Sequence, residues 1–128
     1  MLDHEGLLRL LRRITDGIAK AIKKASGGKP DEALVALREL CSEELGMELS
    51  VLSMLDAPSA VDLLGSHQRV FAFVQLVEAM ADIEQVRDPA RALLRYRQAF
   101  HVTAVLNERD GKKEPLLELL ARLLSRIS

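Results

Sequence analysis

The chain has 128 residues, of which 48% are hydrophobic and 29% charged, with a net charge of −1 and one cysteine, Cys41. Its length predicts a single domain over residues 1–128, while its composition excludes an intrinsically disordered chain, a disulfide-stapled secreted scaffold and a strongly basic nucleic-acid-binding domain. Because no apolar run approaches the roughly 20 residues of a membrane span, we expect a soluble, cytoplasmic protein that spans no membrane and binds no nucleic acid.

Proline and glycine divide the chain into segments with helical apolar periodicity. Each of the four prolines precedes or opens such a segment, where the missing amide hydrogen of proline needs no partner. Glycines follow the segments, as expected of helix C-termini. No alternation typical of strands occurs, so we predict an all-α fold with a helix content above about 70%, against about one third in an average domain. Long helices are predicted over 4–25, 30–45, 67–87, 89–108 and 115–127.

Residues 46–65 form a short insert between the second and third long helices. The insert has room for one or two short helices. Ser59, with Asp62 three residues later, has the spacing of a capping box, so the second short helix should begin near Ser59. Ser66 and Asp88 are the predicted N-caps of the long helices that follow them.

The first and last helices have wider apolar faces than one core requires. The apolar arc of the first helix spans about 200°, against a little over 100° for an ordinary surface helix. A twofold homodimer would bury this surplus, whereas an insert folded over it would bury it within one chain, and the sequence leaves both alternatives open. The candidate self-association face consists of Leu7, Leu11, Ile14, Ile18, Leu120, Leu124 and Ile127. The helix over 67–87 is apolar around most of its surface and is predicted to be the central buried one.

Two segments that lie 59 residues apart match each other and predict a degenerate helical repeat. Residues 30–37 and 89–96 share a proline, an alanine, a leucine and a large final residue. This pattern resembles the second half of a tetratricopeptide repeat, so we predict Ala33 and Ala92 at equivalent close helix contacts. The insert accounts for the excess over the normal repeat length of about 34 residues. The alternative is an ordinary helical bundle with alanine at its close contacts.

Short apolar motifs over nearly the whole chain carry a family resemblance. They are the Leu-Leu-Arg-Leu-Leu run at 7–11, residues 28–34, residues 44–47 and the leucines within 52–64. In these motifs the chain resembles a small bacterial domain family of unknown function with tetratricopeptide-like helices. The resemblance supports a fold of tetratricopeptide-like hairpins, which we expect to consist of the five long helices plus the short helical insert. It implies no catalytic residues and leaves the function open.

The sequence contains no motif of an established catalytic chemistry, such as a glycine-rich phosphate loop, G-x-S-x-G or H-E-x-x-H. The three histidines, His4, His67 and His101, are far apart in the sequence. We therefore expect no catalytic residue, no metal and no cofactor. Cys41 lies near a helix C-terminus beside Glu39, Glu43 and Glu44, whose charges disfavour a thiolate, so we interpret it as a core residue.

Arg87, Arg91 and Arg95 recur every four residues on one predicted helix face. Clustered guanidinium groups bind phosphate or carboxylate, so these residues form the candidate face for an anion or an acidic partner. Alternatively, they form a solvated face that pairs with Glu84, with Asp88 or with the acidic segment 31–62.

Charge is divided unevenly along the chain. Residues 1–30 carry a net charge of +4 and residues 31–62 a net charge of −7. The basic first helix also fits a membrane surface, although it has no aromatic anchor.

We expect a noncatalytic helical scaffold that binds a protein, a peptide or a second copy of itself as a homodimer. The alternative is a sensor-like bundle that binds a small molecule, and an enzyme is least favoured. The structure can separate these alternatives. An elongated apolar groove would favour the scaffold, whereas a closed cavity above about 300 Å³ would favour the sensor.

Overall fold

The computed structural model describes residues 4–111 and 114–128, in which 86% of residues are helical and none belongs to a strand. The all-α prediction is therefore confirmed. In chain order the helices are α1 (His4–Ser26), α2 (Pro30–Leu45), α3 (Leu49–Ser53), α4 (Ala57–Leu64), α5 (His67–Glu84), α6 (Pro89–Asp110) and α7 (Glu114–Ile127). The long helices lie within three residues of their predicted bounds, and the largest difference is the earlier end of α5.

Side-chain caps and left-handed glycines fix the helix ends. The Ser66 hydroxyl accepts the Arg69 amide at 3.2 Å and the Asp88 carboxylate accepts the Arg91 amide at 3.1 Å, which confirms both predicted N-caps. The capping box predicted at Ser59 does not form, although α4 begins within two residues of the predicted start. α4 begins two residues earlier because Asp56 is its N-cap and accepts the Ser59 amide at 2.8 Å, so Ser59 lies inside the first turn.

Helix α5 lies at the centre of the packing. It contacts α1, α2 and α6, and it contributes more of the buried core than any other helix in the described part of the chain. The prediction of a central buried helix is therefore confirmed. Apolar residues from all seven helices join one core cluster, in which Ala33 and Ala92 are both fully buried.

α1 and α2 approach each other closely at Gly17. A Cβ atom at this position would lie 2.4 Å from Cδ2 of Leu40. The missing side chain of Gly17 therefore makes room for the Leu40 side chain.

On the apolar stripe of α1, the structure buries one residue of the predicted self-association face within the chain. Ile14 is fully buried in the core, while Leu7, Leu11 and Ile18 are half-buried. The reason is that this stripe faces α2 and α5, the two principal neighbours of α1. Ile14 is thus unavailable to a second copy of the chain.

The insert does not form the principal cover of α1, contrary to the alternative that the sequence left open. α3 packs against α2, and α4 packs mainly against α6 and also against α5. The insert therefore shapes the opposite side of the molecule, beside α6. Within the described residues, no helix has both the length and the hydrophobicity needed to cross a bilayer.

Candidate functional site

An open groove of about 990 Å³ lies between the insert and one face of α6. We call it the insert groove. α3 and the start of α4 form one wall, α6 forms the other, and Arg38 of α2 reaches one end. Its apolar lining consists of Leu49, Met54, Leu55, Ala57, Leu94, Val102, Ala104 and Val105.

The α6 wall follows from helical periodicity. Its lining residues recur at intervals of three and four, from Arg91 through Leu94, Gln98 and Val105 to Glu108, and such residues share one helix face. The opposite stripe of α6, which includes Ala92, Tyr96 and Ala99, is buried against the core. The groove face is therefore largely distinct from the stripe that folds the helix, although the buried Val102 belongs to both.

Polar contacts hold the insert beside α6. The Gln98 amide donates to the Leu52 carbonyl at 3.4 Å, and Arg109 pairs with Asp62 farther along α6. The Arg69 guanidinium donates to the carbonyls of Leu45 at 2.6 Å and Leu64 at 2.8 Å, at the two ends of the insert. These contacts fix the position of the second wall without filling the groove.

Two large apolar side chains stand exposed at the groove. Met54 is 87% exposed and Leu94 is 66% exposed. Neither side chain is needed to cover the core. Leu94 lies outside the buried stripe of α6, and Met54 follows the last turn of α3. The groove therefore offers apolar surface that a bound molecule would remove from water.

The rim of the groove carries opposite charges at its two ends. Arg38 and Arg91 also line a smaller cavity of about 460 Å³ beside the α5–α6 turn, so they mark the end nearest the start of α6. Glu108 lies at the other end of the α6 wall from Arg91, and Asp56 lines the groove at the start of α4. Hydrogen bonding to the Ser59 amide lowers the pKa of Asp56, which keeps its carboxylate charged.

The structure divides the predicted arginine face into three different environments. Arg95 pairs with Glu84 in a buried contact, and Arg87 donates to Asp31 at 2.6 Å on the surface. A hydrogen bond from Arg87, together with its charge, lowers the pKa of Asp31. The Arg91 guanidinium has no ion-pair partner within the described ranges, and the same holds for Arg38. Pairing within the chain, the alternative reading of this face, therefore accounts for two of its three arginines.

Comparisons with known protein families, curated proteins and solved structures find no match to this chain. The resemblance to the bacterial domain family therefore stays a prediction, and the groove has to be interpreted from its own chemistry.

Cys41 is a buried residue, as interpreted from the sequence. Its thiol donates to the Met47 carbonyl at 3.5 Å. Burial is the main cause that raises the pKa of Cys41 to about 11, and the charge of Glu48 raises it further. The sequence had instead indicated Glu39, Glu43 and Glu44 as the charges that disfavour the thiolate. The thiol therefore stays protonated at neutral pH.

The histidines do not converge where the structure describes them. His67 pairs with Asp110 and stacks on Phe71, whereas His101 lines the insert groove. The side chain of His4 lies outside the described part of the chain. In the part that is described, no group of three or more His, Cys, Asp or Glu residues has an arrangement that could hold a metal ion.

The last helix presents an apolar edge to solvent. Leu117 and Leu124 are exposed, while Leu120 and Ile127 are half-buried. Leu116, Leu119 and Leu123 face the core. Of the predicted self-association face, the α7 part is thus the more accessible.

Sequence reasoning missed the insert groove. Leu94 offered one signal, because it is a large apolar residue out of phase with the buried stripe Ala92, Tyr96 and Ala99. Met54 offered none, since nothing in the insert specified which of its apolar residues would reach the core.

Proposed function

We propose that the protein is a noncatalytic interaction domain that binds a protein or peptide in the insert groove. The observation that carries this proposal is the exposed apolar surface of Met54 and Leu94 within a groove with a charged rim. Partner-binding surfaces combine an apolar centre with a polar rim.

The helix packing supports a tetratricopeptide-like arrangement as part of this proposal. α1 with α2 and α5 with α6 act as two hairpins, and α5 packs on both helices of the first. Ala33 and Ala92 are buried at matching positions of the second helix in each hairpin. In this arrangement the insert interrupts the repeat and supplies the second wall of the groove.

A small-molecule sensor fits the groove less well. A drug-sized ligand usually has 70–90% or more of its surface buried, in a pocket of about 300–1,000 Å³. The insert groove reaches that volume, but Met54 and Leu94 remain largely exposed within it, so it does not enclose a small ligand. Such a site suits a larger partner that supplies its own cover.

Self-association is a second proposal, and the α7 edge favours it. Leu117, Ala121 and Leu124 lie at intervals of four and three on the exposed side of the helix, with Leu120 beside them. This spacing would place them in one seam against the same helix of a second copy.

The single buried thiol, Cys41, suits a reducing compartment, so we propose a cytoplasmic location.

Affinity capture from the source cell tests the groove proposal when wild type is compared with matched variants. Leu94→Asp and Met54→Asp place a charge in the groove, whereas Val86→Asp places the same charge on a side chain that is 89% exposed in the α5–α6 turn, outside the groove. Circular dichroism verifies that each variant folds.

Proteins captured by wild type and Val86→Asp, but lost with both groove variants, would support the proposal. An identical set of proteins on all four baits would contradict it.

A further inference from the structure

We infer that the partner segment is an amphipathic α-helix with acidic residues at one end and basic residues at the other. The inference rests on the proposed function of the insert groove and names the occupant that the groove fits. Four features support it, namely the length and volume of the groove, the absence of strand edges in its walls, the spacing of its apolar side chains and the division of charge along its rim.

The dimensions of the groove match a half-embedded helix. Its α6 wall runs from Arg91 to Glu108, which spans about 25 Å at about 1.5 Å per residue. A helix of that length has about 17 residues. The groove volume of about 990 Å³ leaves room for the apolar side chains of such a helix, while its outer face would stay in solvent.

The walls favour a helical partner over an extended one. The described residues contain no strand, so the groove has no strand edge to which a peptide backbone could add. The side-chain amide of Gln98 already donates to the Leu52 carbonyl, so this donor is not free for the backbone of an extended peptide. An extended peptide would leave many of its amides and carbonyls without protein partners, whereas a helix satisfies its own.

The apolar side chains are spaced for helix anchors. Leu94 and Val105 lie three helical turns apart on α6, about 16 Å along its axis. Met54 lines the groove from the insert wall, and its flexible side chain adapts to differently shaped partners. Apolar partner residues at positions i, i+4, i+7 and i+11 would cover this distance on one helix face.

The rim charges assign the ends of the partner. Arg38 and Arg91 have no ion-pair partner in the ranges that the structure describes, so acidic partner residues would meet them at the end near the start of α6. Glu108, at the opposite end of the α6 wall, would meet a basic residue of the partner. Such complementarity fixes register and partner choice more than it adds affinity.

A display selection tests the inference without a known ligand. A library of random 16-residue peptides is selected on the immobilised full chain, and enriched peptides are measured by fluorescence anisotropy against wild type and variants. We expect enriched sequences with apolar residues at helical spacing, no internal proline, acidic residues toward one end and basic residues toward the other. Their helical circular dichroism signal should rise on binding.

The variants locate the site and test the charges. Leu94→Asp should weaken binding at least tenfold, Val86→Asp should leave it unchanged, and Arg91→Glu should weaken it by weakening the contact with the acidic end. A peptide with its acidic and basic ends exchanged should bind wild type less well than the original. Equal binding of both peptides, with no effect of Arg91→Glu, would overturn the charge assignment.

The remaining outcomes separate the helix from the groove. Enriched peptides that depend on Leu94 but contain proline, or stay non-helical when bound, would overturn the helical partner and leave the groove proposal standing. Peptides that bind Leu94→Asp as well as wild type, or no enrichment at all, would overturn both. Light scattering gives a further outcome. If the wild type has a dimeric mass and Leu94→Asp has a monomeric one, a second copy of the chain occupies the groove, and the inference of a separate partner is overturned.

Discussion

The ion pair between Glu84 and Arg95 should contribute far more to stability than the neighbouring pair between Asp31 and Arg87. The side chains of Glu84 and Arg95 are 5% and 14% exposed, whereas those of Asp31 and Arg87 are 81% and 46% exposed. Replacement of Arg95 by Met keeps much of the side-chain volume but leaves the Glu84 carboxylate buried without its cation.

The burial of each pair sets the expected magnitude. Loss of one partner of a buried pair costs about 3–5 kcal/mol, and the partial exposure of Arg95 places Arg95→Met near the lower end, at about 3 kcal/mol. Loss of an exposed pair costs roughly 0–1 kcal/mol, so Arg87→Met should cost less than about 1 kcal/mol. Since a domain is stable by only about 5–15 kcal/mol, Arg95→Met removes a large part of the total.

Urea denaturation of the two single variants measures the difference. A loss of less than about 1 kcal/mol in the free energy of unfolding for both Arg95→Met and Arg87→Met would refute the argument, because burial would then have no effect. The double variant Glu84→Leu with Arg95→Met provides the control. It removes both charges and should recover most of the loss, since an apolar replacement of a whole buried pair is often neutral.

Three further predictions concern the repeat, the buried thiol and the α7 edge. Ala33→Leu and Ala92→Leu should each cost about 1–3 kcal/mol by overpacking a close helix contact, and unchanged denaturation midpoints would contradict the proposed repeat. Because burial raises the pKa of the Cys41 thiol from 9.0 to about 11, its contribution to folding should be intact below pH 9 and lost between pH 9 and 11, where only the unfolded chain ionises it. Ellman's reagent should accordingly react slowly with the native protein and quickly in denaturant, and equal rates would show an accessible thiol. Light scattering should give a dimeric mass for wild type and for Arg12→Glu but a monomeric mass for Leu117→Glu with Leu124→Glu, and a wild-type monomer at every concentration would exclude the dimer.

The helices could be predicted from the sequence because local chemistry determines them. Pro30 and Pro89 open α2 and α6, and Asp88 caps α6, without any help from distant residues. The continuous apolar pattern of α5 likewise indicated its burial. In these segments, propensity, capping and periodicity all favour the same structure.

The groove could not be predicted because it depends on which helices pack together. Ile14 was assigned to a self-association face on the width of an apolar stripe, yet α2 and α5 cover it within the chain. The pairing of Arg95 with Glu84 was foreseen as an alternative, but only the structure shows that it is buried while Arg91 is left unpaired within the described ranges. The insert carries no local signal for the helix on which it docks.

Helix α3 has a dynamic consequence for whatever occupies the groove. It has five residues, well below the roughly 12–15 at which an isolated helix becomes even marginally stable. Its order therefore depends on the docking of Leu49 and Leu52 into the core, and its amide protons should exchange with solvent by local opening long before those of α5. A partner that contacts α3 would hold it in its docked position and slow amide exchange across residues 49–56. Ordering α3 costs conformational entropy, which lowers the affinity for the partner. In return, the position of α3 can adjust to the partner that binds.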